Sequence, residues 1–233
     1  MAGLRRGRRP DEQPPEVRMT TLPTGAELLR YVVLVTGVII APGADLALVL
    51  TSAVRGGRQG GLATTMGIVS GVFVWAALAG AGLAGVLVAS ATGYLMLRLA
   101  GAAYLLFLGI KFLAQSRSVA PPVDRTGGAG KARSFWSYFR RGWVADVMNP
   151  KMAVFYLAVL SNFLHPGDFL PGKVFFLALV HASIGLLWFS SISLAVGRSN
   201  ILARNPRVRR MLNLAGGAVL VLLSIEVALP MQW

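Results

Sequence analysis

The chain has no cysteine, which excludes disulfides, thiolate catalysis and cysteine-ligated metal or iron-sulfur centres. Histidine is almost as scarce. His165 and His181 are widely spaced and have no acidic cluster beside them, so a protein-bound transition metal is not expected. Charge is also short and lopsided: 14% of residues are charged, and 9 Asp and Glu stand against 23 Lys and Arg. No cofactor is expected, and function must rest on non-covalent contacts. Residues 1–27 lack the apolar core of a signal peptide, and their arginines (Arg5, Arg6, Arg8, Arg9, Arg18) have no following apolar context of the kind a twin-arginine export signal needs. This stretch reads as a disordered basic tail, with Met19 as an alternative start.

Apolar sequence is what remains. Hydrophobic residues make up 55% of the 233 and the mean hydropathy is +0.63, outside the usual balance of a soluble domain. Six runs, at about 30–54, 62–89, 94–114, 143–164, 173–196 and 211–229, are each long enough to cross about 30 Å of hydrocarbon at 1.5 Å per residue. The expected fold is an all-α integral membrane protein, a single transmembrane domain over 28–230 with the lipid bilayer as its principal partner.

The formal net charge of +14 could suggest nucleic acid, but the basic residues flank the apolar runs, where positive-inside bias and anionic headgroups account for them. No nucleic-acid partner is expected. Arg55 and Arg58 follow the first run, six basic residues from Arg117 to Arg141 follow the third, and five from Arg198 to Arg210 follow the fifth. The loops 90–93 and 165–172 hold none. The basic loops are therefore expected on the cytoplasmic side of the inner or plasma membrane, with both termini outside. The arginine-rich tail opposes that assignment.

The linker 115–142 contains P-P-V-D and G-G-A-G and divides the chain into two halves, 28–114 and 143–230. L-A-G-A-A-Y-L-L-F-L-G-I from Leu99 and L-A-G-G-A-V-L-V-L-L-S-I from Leu214 are alike, which suggests an internal repeat. With three spans in each half, the repeat must be inverted.

Two interruptions stand where hydrocarbon should be. The first is A-P-G-A-D, Ala41 to Asp45; the second is Asp146 followed by Asn149, Pro150 and Lys151. Proline removes a helix hydrogen bond, glycine costs entropy, and a membrane carboxylate is costly enough to imply a task. Asn149 is suited to an N-cap and Pro150 to the first helical position, so a half-helix should start there at depth. Pro42 would restart a second one with no side-chain acceptor before it. In an inverted arrangement both positive dipole ends face the centre and suit an anionic group such as a carboxylate, and Lys151 adds a full charge. Asp45, about 4.5 Å along the axis beyond Pro42, and Asp146 could take an ammonium group or a proton. Gly43 would let backbone approach a substrate.

With P-G-A-D-L-A-L-V-L, R-G-G-R-Q-G-G-L, the third-run L-A-G-A-A-Y-L-L-F-L-G-I-K and R-R-G-W-V-A-D-V-M-N-P-K-M-A-V-F-Y, the sequence resembles the LysE/RhtB amino-acid exporter family over about residues 25–230. The resemblance implies secondary export of amino acids or related small amine-bearing metabolites, driven by the proton gradient or membrane potential, as in an antiporter. The family's P-G-P-D is matched by Pro42, Gly43 and Asp45 with Ala44 in place of the second proline, and its N-P-K by Asn149, Pro150 and Lys151. Asp146 stands where the family more often has a neutral polar residue, and Glu226 where a basic one is common. These departures bear on substrate charge rather than fold.

Plainer readings stand beside these. Asp45 could only cap its own half-helix, and Lys151 could only neutralise an acid. Arg98 and Lys111 are expected to snorkel, Glu226 to be solvated, and His181 to be a packing histidine or a proton relay. Gly67 and Gly71, four apart, are expected to allow close helix contact, and small-residue faces suit a homo-oligomer as well as internal packing. No enzyme is expected; the alternatives to an exporter are a membrane-embedded lipid-modifying enzyme with Asp45 and Asp146 as an acid-base pair, or a passive small-solute channel.

Overall fold

A computed structural model describes residues 22–89, 91–116, 134–164, 170–198 and 206–229, and within them every regular element is helical. Helix α1 (Gly25–Ile40) starts at a capping box: the Thr24 amide donates to Glu27 Oε2 at 2.7 Å and the Glu27 amide to Thr24 Oγ1 at 3.3 Å. It stops at Ala41-Pro42-Gly43, and α2 (Ala44–Ala89) follows at once.

Helix α2 is two helical arms joined at a sharp kink at Gly57, not one straight helix. Gly57 has φ 62° and ψ −161°, a left-handed backbone that glycine adopts without steric cost. A Cβ built on Gly60 would lie 2.7 Å from the Ser52 carbonyl oxygen, although a straight helix would hold those residues about 12 Å apart. The chain therefore doubles back at Gly57, so the first two expected spans take the form of α1 with the first arm of α2, and then the second arm.

Helix α3 is Ala91–Gln115, α4 is Phe135–Val147 and α5 is Pro150–Val154, which runs on through a π turn (Phe155–Val159) and a 3-10 turn (Leu160–Phe163). Helices α6 (Leu170–Arg198) and α7 (Pro206–Ala228) complete the described chain. Helix α4 begins eight residues before the expected fourth run, inside the stretch 115–142 assigned to linker. Ser134 caps it, and Trp136 stacks on Phe139 at 4.8 Å between ring centroids. Arg140 and Arg141 had depressed the local hydropathy and hidden this turn. Residues 1–21, and 117–133 of the linker, lie outside the described residues; Gly25 to Glu27, assigned to the tail, are the first turn of α1.

Among the described residues four segments are long and apolar enough to cross a membrane: Ala44–Gly82, which contains the Gly57 bend, Arg98–Gln115, Pro171–Val196 and Arg210–Ala228. The two runs that carry breaks are instead divided into short helices. Helix α2 packs on α4 and α6, α3 on α7, and α1 on α6 and α7. Between them Val35, Val38, Leu105, Phe155, Leu177 and Leu220 are fully buried. Outward positions of α3, α6 and α7, such as Phe107, Leu187 and Leu222, leave large apolar side chains exposed, the surface that lipid would cover. Arg98 does not snorkel. It is buried, and its Nε–H donates to the Val227 carbonyl at 2.6 Å, binding α3 to the end of α7.

Candidate functional site

The two breaks meet at the centre of the bundle. Asn149 is the N-cap of α5, its Oδ1 accepting from the Lys151 amide at 3.0 Å, with Pro150 in the first helical position. The other end of the same amide crosses to the first break, where Nδ2 donates to Asp45 Oδ2 at 2.7 Å. Asp45 sits in the first turn of α2, so one short polar side chain both starts α5 and holds the carboxylate of the opposite break.

Lys151 completes the reciprocal link. Its ammonium donates to the carbonyls of Val38 at 3.0 Å and Ala41 at 3.4 Å. In an uninterrupted helix the Val38 carbonyl would receive the amide of residue 42, but Pro42 has none. Lys151 takes that place. A Cβ on Gly43 would lie 3.3 Å from Nζ, so glycine here keeps room for the ammonium. Lys151 itself is buried, and among the described residues it forms no ion pair with either acid.

Asp146, in the last turn of α4, is 0% exposed and neither of its carboxylate oxygens has a hydrogen-bond partner. Asp45 Oδ1 is likewise buried and unpartnered. Asp146 is positioned by its backbone and by α2: the Trp75 indole N–H donates to its main-chain carbonyl at 3.1 Å, and Gly71 lies directly against its side chain. Gly67, one turn earlier, abuts the α4 backbone at Phe139 and Trp143.

Asp45, Asp146 and Lys151 line one cavity of about 20 Å³, together with Val38, Met152 and His181. That is space for about one water molecule and too little for an amino acid. His181 is satisfied rather than free, with Nδ1 3.3 Å from the Tyr156 hydroxyl and the two rings stacked at 5.7 Å. Tyr156 belongs to the π turn, an irregularity often found at functional sites.

All seven residues singled out by sequence (Pro42, Gly43, Asp45, Asp146, Asn149, Pro150, Lys151) therefore belong to this junction. Gly71 and Trp75 were not singled out as part of it. Gly71 stands four residues after Gly67 and Trp75 eight, a spacing that marks one helix face, but which residue that face would meet is not written in it. Gly71→Ala is expected to drive a Cβ to 2.5 Å from Asp146 Oδ2 and 2.8 Å from its Cβ. The overpacking should cost about 1–3 kcal/mol, seen as a lower melting temperature in detergent, with Gly82→Ala, whose Cβ meets nothing within 4 Å, as the silent control.

The sequence model of the LysE type translocators matches residues 36–230, a range that contains both breaks. The chain is 25% identical over 206 residues to the uncharacterized membrane protein YrhP of Bacillus subtilis, covering 87% of this chain and 98% of that one. It is 25% identical over 198 residues to the homoserine/homoserine lactone efflux protein of Salmonella typhimurium, covering 85% and 94%. No solved structure gives a significant match.

Proposed function

Because this chain belongs to the LysE type translocator family, and is thus a membrane transporter rather than an enzyme, we propose that it exports amino acids or related small amine-bearing solutes by secondary active transport. The observation that carries the reading is the crossed junction, in which Asn149 of one break binds Asp45 of the other while Lys151 binds the end of the helix before Pro42. A site built this way can be remade around a solute. A substrate carboxylate would draw Lys151 from the Val38 and Ala41 carbonyls and meet the start of α5, and its ammonium would take the free oxygens of Asp45 and Asp146. The same carboxylates can hold a coupling proton when the substrate is absent. The efflux relative supports an amine-bearing, amino-acid-like solute.

The cavity is too small for such a solute, so the structure corresponds to a closed state and transport requires opening on alternate sides. An inverted repeat of six spans fits the packing. Gly216 in the second half abuts Ala41 and Pro42 of the first break, and its counterpart Gly101 in the first half abuts Val154 and Ala158 beyond the second. In this reading the basic loops face the cytoplasm and both termini face outward.

The test is a transport assay with purified protein in liposomes loaded with labelled homoserine, the twenty amino acids or small diamines. Efflux of at least one solute, accelerated by an imposed pH gradient or membrane potential, is expected. Failure of every solute under either gradient would remove the assignment, and flux insensitive to both would favour a passive channel.

A further inference from the structure

A second cluster of charge lies away from the central junction, where α1 and α6 begin and α7 ends. Arg30 of α1 forms an ion pair with Glu226 of α7. One turn earlier on α1, Glu27 approaches Lys173 of α6, Oε1 to Nζ 3.9 Å, and the Lys173 side chain is almost wholly covered. Arg98 fixes the neighbouring Val227 carbonyl. The start of α1 is thereby tied to two other helices at the same level.

Between this cluster and the central cavity lies a stack of rings. The Arg30 guanidinium is 6.0 Å from the centre of the Phe163 ring. Phe163 meets Tyr31 edge-on at 5.1 Å, Tyr31 lies 6.1 Å from Phe155, and Phe155 meets His181, which lines the cavity, at 5.2 Å. Tyr31, Phe155 and Phe163 are at most 2% exposed. Arg30 to Val38 is eight residues, about 12 Å of helix. Phe155 and Phe163 come from the π and 3-10 turns, where the backbone is not held in a regular α ladder and a change of pitch costs less than in a long helix.

We propose that Arg30 and Glu226 form a latch which, with Glu27 and Lys173, shuts the way from the central cavity to this face, and that Tyr31, Phe155 and Phe163 are the plug it holds. The proposal rests on the transport reading, since only a transporter needs a path there. It gives Glu226 a task in the transport cycle. A partly exposed ion pair suits that task, because it is worth about 1 kcal/mol or less and is broken without large cost.

The absence of cysteine allows a direct test, because a single introduced thiol is the one target for a water-soluble maleimide. Ile39→Cys and Ala182→Cys, which line the central cavity and leave the rings in place, each in full-length protein in liposomes, are expected to label slowly. Adding Glu226→Gln or Arg30→Gln should accelerate labelling at both, and the exchanged pair Arg30→Glu with Glu226→Arg should return it to the slow rate. Ala53→Cys, buried in a separate small cluster with Val196, controls for general loosening and should not change. Labelling that ignores the loss of the pair, or that rises equally at Ala53→Cys, overturns the latch. Because the readout involves no solute, it can fail while the central site still transports, and it can succeed if that site proves to do something else.

Discussion

Asp45→Asn is expected to reduce export by about two orders of magnitude, the equivalent of about 3 kcal/mol, while leaving the folded protein intact. The substitution is nearly isosteric. An asparagine oxygen can still accept from Asn149 Nδ2, so the 2.7 Å bond that joins the two breaks survives. What disappears is the negative charge and the acceptor at Oδ1, which is buried and without a partner in the closed state. In its place stands an amide N–H₂, which repels an ammonium and cannot carry a coupling proton. If Asp45 served only the start of its own half-helix, where its charge meets the helix dipole from within the first turn, the neutral variant would transport normally and lose only about 0.3–1 kcal/mol of stability. Efflux from loaded liposomes together with the melting temperature decides between the two: loss of flux at an unchanged melting temperature assigns the charge to transport. Flux at the parental rate would remove Asp45 from the mechanism and leave it a structural tie.

The breaks were legible because the residue types that make them are costly in a membrane. Proline in an apolar run needs a replacement donor for the carbonyl four residues back, and a carboxylate there needs a partner. These demands identify Pro42, Asp45, Asp146 and the Asn149-Pro150-Lys151 run without knowledge of the fold. What supplies each demand depends on another helix and was not legible. That Lys151 answers Val38, or that Gly71 makes room for Asp146, follows from helices meeting across the bundle. Arg98 was misread for the same reason, since its partner is the end of α7. Hydropathy also blurred the boundaries. The reversal expected between the first two runs takes place at a single residue of positive φ, Gly57, where two helical arms meet, and hydropathy passes over the first turns of α4, where two arginines lie among aromatic residues.

Replacing Lys151 is expected to have the widest effect, because one ammonium answers two demands. Lys151→Met preserves length and much of the volume. It removes the donor that stands in for the missing Pro42 amide, leaving the Val38 and Ala41 carbonyls without that partner in a dry interior. It also removes the cation from a cavity that two acids line. Loss of one member of a buried charge cluster typically costs about 3–5 kcal/mol, a large share of the roughly 5–15 kcal/mol that keeps a protein folded. Export should be lost, and the amount of protein in the membrane should fall with it, so a null transport result alone would be ambiguous. The double variant Lys151→Met with Asp146→Asn resolves it. Neutralising Asp146 relieves the excess of negative charge but restores nothing that could bind a carboxylate. Abundance and melting temperature should therefore recover in part while export stays absent. Recovery of export in the double variant would show that Lys151 only neutralises its neighbours. Abundance that stays low would instead place most of its worth in the two carbonyl bonds across the first break.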